Sequence, residues 1–282
     1  MKMMIKPASV NARYQYIDTG FGRLKLLIVS PKQLNERTAG VLWLHGGGYA
    51  TGMAEMIYSS RAIDLVVECG AVVIAPSYKL SLLHPYPTAL IQCHDALIWI
   101  REHAEELGVR DDQIMVGGES AGGGLCAALC MYALDNKSVN IAFQMPLYPM
   151  LDCQDTDSSR DNHEKVWNTR RNHQAWKLYL RDLDKYLPIS EYASPARREN
   201  YSNLPPCYTF VGDIEPFRDE TLNYVANLQK AGVEAQCDVY EGWYHGYDMV
   251  NDKDPLTLKA AQNFIEKFKG AREKRFAAQT ED

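Results

Sequence analysis

Residues 117–124 read Gly-Gly-Glu-Ser-Ala-Gly-Gly-Gly, one serine among five glycines. Within them, Gly118-Glu119-Ser120-Ala121-Gly122 fits G-x-S-x-G, and the apolar run "QIMV" precedes it. A serine at a sharp strand-to-helix turn presents its hydroxyl, and the start of the following helix favours negative charge developing there. The plain alternative is a glycine-rich turn with a capping serine. His45-Gly46-Gly47-Gly48 ends a second apolar run, "VLWL". Consecutive glycines can aim backbone N–H groups into a cleft, and acyl transfer needs such donors where the tetrahedral oxyanion forms. His45 itself reads as a structural residue bonded to backbone.

An unassisted serine is a poor nucleophile and needs a base that is itself oriented by an acid. At such a turn the acid and then the histidine follow in the chain. Only one histidine lies beyond residue 173: His245, in "EGWYHGYDM", just after a predicted strand. The acid falls in "GDIEPFRDE", where Asp213 and Glu215 are both candidates. Asp219 and Glu220 lie in the following helix and are assigned to its first turn.

These residues require a frame. Residues 13–30 read as a hairpin: "RYQYI", a turn at "DTGFG", then "RLKLLIVS". "GVLWLHG" and "AVVIAPS" are continuously apolar and β-branched, as strands buried on both faces are. Helical spacing over 58–69 closes at Gly70, and residues 88–107 read as one long amphipathic helix. "QIMVGGES", "NIAFQMPLYP", "CYTFVG" and "EAQCDVYEG" are further strands, with helices beginning near Ser120 and at about 218–231 and 256–270. The alternation predicts an α/β fold, a mainly parallel sheet with helices on both faces. Residues 153–203 break the rhythm, with a predicted helix at 172–182. They read as an insertion over the sheet's edge, a small helical cap on a single domain of residues 1–282, and not as a separate domain.

The chain has 282 residues and a formal net charge of −6, with charges of both signs mixed along it. That argues against a nucleic-acid or anionic-membrane partner. No apolar run approaches the ~20 residues of a membrane span, and no secretory signal is evident, so a cytoplasmic protein is expected. Seven scattered cysteines include no C-x-x-C pair, which argues against a disulfide framework or a metal site. Cys126 and Cys130 read as small buried fillers.

From about residue 40 to 270 the chain resembles the bacterial hormone-sensitive-lipase-like esterases of the α/β-hydrolase superfamily. The motifs that carry the resemblance are "HGGGY" at 45–49, "HPYPTAL" at 84–90, "GESAGG" at 118–123 and "LYPMLD" at 147–152. "EYASPAR" at 191–197, "EPFRDE" at 215–220 and "YHG" at 244–246 follow in order. The resemblance implies Ser120 as nucleophile and His245 as general base and acid. It also implies an oxyanion hole built from backbone amides of the glycine loop and Ala121. Family pattern favours Gly47 and Gly48 within that loop, with Gly46 also a candidate. The family acid sits in D-P-x-R-D-E, so Glu215 aligns and Asp213 does not, with glutamate replacing the usual aspartate. Family members commonly carry a longer N-terminal segment in the cap. Here the cap would be built from 153–203 and a short N-terminal arm, with Tyr49, Met53, Trp167, Trp176 and Tyr244 as pocket walls or ordinary aromatic packing.

The implied function is a serine carboxylesterase acting on short, acetyl-like esters of small molecules, needing neither cofactor nor metal. Amidase, arylformamidase or lactonase chemistry on the same residues is the alternative, as is a silent ligand-binding protein. A homodimer through the strand at 234–240 is a further expectation.

Overall fold

The computed structural model describes residues 4–34 and 36–280. The expected hairpin is β1 (Val10–Ile17) and β2 (Leu24–Pro31), paired antiparallel from Val10 opposite Pro31 to Ile17 opposite Leu24. β2 also pairs antiparallel with β4 (Val72–Pro76), which buries it where β1 stays largely exposed. The other strands are β3 (Thr38–Leu44), β5 (Val109–Glu119), β6 (Phe143–Leu147), β7 (Cys207–Gly212) and β8 (Ala235–Tyr240). The sheet order is β1-β2-β4-β3-β5-β6-β7-β8, with every pair from β4 to β8 parallel.

Period-2 alternation explains why the central strands are apolar throughout. Leu42 and Leu44 of β3 face one layer, while Val41 and Trp43 face the other. The first layer comprises α2 (Thr88–Glu102), α4 (Ala121–Asn136) and α6 (Arg218–Lys230), through Leu90, Leu97, Leu125, Leu129, Tyr224 and Leu228. The second comprises α1 (Ala62–Cys69) and α8 (Pro255–Lys274), through Ile63, Val66, Phe264 and Phe268. Gly70 ends α1 in the left-handed conformation, as its position suggested. Among the described residues no helix is long and apolar enough to cross a membrane.

Three details depart from the sequence reading. The helix expected over 88–107 is interrupted at His103, and α3 (Ala104–Leu107) follows separately. The His103 ring turns back to within 2.9 Å of the Trp99 carbonyl and stacks on the Trp99 indole, and the same carbonyl also accepts the His103 amide at 3.0 Å. β5 begins at Val109 beside Thr38, across a register shift that periodicity does not reveal. The third is a tie that no local pattern signals: Tyr14 and Lys25 of the hairpin bond Glu55, in the 3₁₀ turn Ala54–Ser59 after the glycine loop.

Residues 153–203 carry α5 (Thr169–Tyr179), which starts three residues before its expected place because Asn168 caps it, accepting from the Arg171 amide. Both ends of the insertion are pinned by the family motifs. The Leu151 carbonyl accepts from Ser194 Oγ (3.0 Å) and the Ala196 amide (3.1 Å), and Arg197 pairs with Asp152 at 2.6 Å. Glu220 accepts from the Leu151 amide at 2.6 Å. Glu220 stands in the first turn of α6, as expected, and, buried, it also ties that helix to the loop after β6. Asp219 likewise accepts from the Ser158 amide at 2.8 Å. Between these anchors the insertion lies above the C-terminal ends of the central strands: Ala175 and Trp167 lie against Gly48, and Tyr179 stacks on Tyr49 at 3.9 Å.

Candidate active site

Ser120 stands between the end of β5 and the start of α4, with φ 58° and ψ −121°. This backbone conformation costs a non-glycine residue roughly 1–3 kcal/mol and persists only where its surroundings enforce it. Here the Ser120 amide donates to the Leu147 carbonyl (3.0 Å), while its carbonyl accepts from the Gly124 and Met150 amides (3.0 Å each). The surrounding glycines are required by close approach. A Cβ on Gly122 would fall 2.0 Å from the Leu44 carbonyl oxygen, and one on Gly124 would fall 2.1 Å from that of Met150. The turn is thus sunk between β3 and the loop after β6, and the first turn of α4 can have almost no side chains.

His245 lies between β8 and α7 (Tyr247–Val250), and Glu215 follows β7. The structure brings both to the serine: His245 Nε2 is 2.8 Å from Ser120 Oγ, and His245 Nδ1 is 2.5 Å from Glu215 Oε2. The other Glu215 oxygen accepts from the Gly212 amide at 2.9 Å. All three side chains are buried. Asp213 is turned away, accepting from the Gly242 amide at 2.7 Å and so joining the loops after β7 and β8. Rings of Phe217 (4.9 Å), Tyr148 (5.2 Å) and Trp167 (6.2 Å) surround the imidazole, the first two edge-on. Phe217 and Tyr148 escaped the sequence reading, although both lie within the quoted family motifs.

The glycine loop passes beside this turn. A Cβ on Gly46 would meet Ser120 Cβ at 3.3 Å, and Gly47 and Gly48 take φ of 113° and 59°, conformations natural to glycine. The Gly47 carbonyl is occupied, accepting from the Ala50 and Thr51 amides. Among the described residues, no turn or loop carbonyl accepts from the amides of Gly46, Gly47, Gly48 or Ala121. His45 is buried as a brace: its Nδ1 lies 2.8 Å from the Gly46 carbonyl and its ring stacks 4.1 Å from Tyr78. Burial lowers its pKa from 6.5 to about 4, so it stays uncharged at neutral pH.

A charged cluster behind the serine was not foreseen. Glu119 is buried, accepting from the Trp43 indole (2.8 Å) and the Arg61 amide (3.2 Å). Burial, with repulsion from Asp248, outweighs those bonds and raises its pKa from 4.5 to about 7. The Arg61 guanidinium lies 3.0 Å from Asp64 and 3.3 Å from Asp248, three residues beyond His245. Arg61 with Asp64 three residues on, at the start of a mostly apolar helix, was the available signal.

A strained serine turn at the end of a parallel strand, with an acid and a histidine from the loops after β7 and β8, defines a class. The chain belongs to the alpha/beta hydrolase fold family, whose pattern matches residues 41–249. The esterase LipI of Mycobacterium tuberculosis is 31% identical over 209 residues, 73% of this chain and 65% of that protein's length. The arylesterase of Saccharolobus solfataricus is 32% identical over 213 residues, 73% of this chain and 67% of that one. A solved bacterial heroin esterase superposes with a TM-score of 0.88 at 30% identity, covering 94% of this chain and 85% of that one. The family match and these relatives agree with the resemblance to hormone-sensitive-lipase-like esterases.

Proposed function

We propose that this chain is a serine carboxylesterase that hydrolyses short, acetyl-like esters through an acyl-enzyme. The observation that carries the reading is the relay Ser120–His245–Glu215, at 2.8 and 2.5 Å, seated on a strained turn. His245 Nε2 takes the Ser120 proton as Oγ attacks the ester carbonyl. Glu215 holds Nδ1 protonated, so that Nε2 is the basic nitrogen, and stabilises the imidazolium that forms. The oxyanion is met by amides of Ala121 and of the glycine loop, Gly47 and Gly48 foremost, aided by the start of α4. His245 then protonates the leaving alcohol, and the same cycle with water releases the acid. The aromatic rings crowding His245 support a small acyl group, and residues 153–203 serve as the cap that keeps the site dry.

The test is p-nitrophenyl acetate hydrolysis by the wild type beside Ser120→Ala. Loss of the serine should lower kcat by about 10⁶. Equal turnover in both proteins, or none in the wild type, would overturn the reading.

A further inference from the structure

We propose that Trp167 sets the size of the ester that Ser120 accepts. The inference rests on the esterase reading above and deepens it. The indole lies against the glycine loop: a Cβ on Gly48 would stand 2.4 Å from Trp167 Cη2. Its ring is also near His245, with centroids 6.2 Å apart, and Phe217, at 6.3 Å. A bound ester must place its carbonyl oxygen at the loop amides and its alcohol oxygen at His245 Nε2. Trp167 spans those two groups, so whatever reaches both has the indole as a wall.

The wall is built to stay in place. The Trp167 amide donates to the Lys165 carbonyl at 2.7 Å, closing a three-residue turn around Val166, whose φ is 64°. A γ-turn of this sign is rare, and a β-branched residue at positive φ is a steric outlier. Such a conformation survives only where its surroundings impose it. Here the Arg171 guanidinium donates to the Val166 carbonyl, and Trp167 Nε1 reaches Asn172 Oδ1 at 3.4 Å. Both partners belong to the start of α5, so that helix holds the tight turn through Arg171 and the indole through Asn172. A tryptophan that merely filled the insertion's core would not need this turn, nor would it lie half exposed over the glycine loop.

Shortening residue 167 should therefore move the size limit, which is read as a ratio between esters so that a general change in turnover cancels. In a hydrophobic site one methylene changes kcat/KM roughly 10–200-fold. The experiment compares kcat/KM for p-nitrophenyl acetate, butyrate and octanoate in the wild type, Trp167→Leu and Trp167→Ala. The expected result is a wild type that strongly prefers acetate and an octanoate-to-acetate ratio that rises at least ~10-fold in Trp167→Ala. Trp167→Leu, which keeps apolar bulk in the insertion, should fall between them and holds the test open should the alanine variant fold poorly. An unchanged ratio in a folded variant, with acetate turnover intact in the wild type, overturns the proposal and leaves the esterase standing. A wild type inert towards all three esters sinks the esterase reading itself, which is a distinct outcome.

Discussion

Glu119, next to the nucleophile in the chain but facing away into the fold, makes stability depend on pH in a direction that can be worked out. In the unfolded chain its carboxyl titrates near 4.5, and in the folded one at about 7. Between those values the folded state holds a proton that the unfolded state has released. Its contribution is therefore fully present below pH 4.5, is lost as pH rises towards 7, and stays lost above. A difference of 2.5 pH units (7 minus 4.5) corresponds to about 3 kcal/mol, of which roughly 2.5 kcal/mol falls between pH 5 and 8. Glu119→Gln removes the titration while keeping an oxygen for the Trp43 indole. It forfeits the bond from the Arg61 amide, a cost of about 1 kcal/mol that does not vary with pH. Urea unfolding of both proteins at pH 5, 6, 7 and 8 measures the difference. The variant should gain on the wild type as pH rises, by about 2–3 kcal/mol across the range. A difference that is flat with pH, or that moves the other way, would refute a buried carboxyl titrating near neutrality.

Two further outcomes follow from the site. Glu215→Gln keeps the Gly212 bond but turns the wrong group towards His245 Nδ1, and kcat for p-nitrophenyl acetate should fall by about 10⁴. Asp213→Asn should change it less than about threefold, because that side chain only braces Gly242; the reverse ranking would make Asp213 the acid. Gly122→Ala forces a Cβ to within 2.0 Å of the Leu44 carbonyl oxygen. It should destabilise the fold by about 1–3 kcal/mol and lower kcat, read as a falling unfolding midpoint and turnover; an unaffected midpoint would show that the helix start can shift.

Most of the frame was legible because its signals are local. Glycines at 46–48 and at 117, 118 and 122–124 announce close backbone approach, and unbroken apolar runs announce strands covered on both sides. His245 could be singled out because only one histidine follows the last possible acid. The choice between Asp213 and Glu215 was not a local matter. Both stand within four residues of β7, and only the path of the following turn decides which carboxylate reaches Nδ1 and which bonds Gly242. Glu220 shows the same limit, since its partner is an amide 69 residues away.

The sequence by itself determined the layered α/β fold, the serine turn, the order of the candidate triad and the glycine loop opposite it, because each is written in neighbouring residues whose backbone demands are strict. The family motif pointed to Glu215, but tertiary structure alone decided that Asp213 turns to Gly242, that Glu119 is stranded among Trp43, Arg61 and Asp248, and that Trp167 leans over Gly48. Those facts arise where loops from distant parts of the chain converge at the ends of parallel strands. Side-chain reach and burial there depend on how the loops pack against one another, which no stretch of sequence specifies on its own.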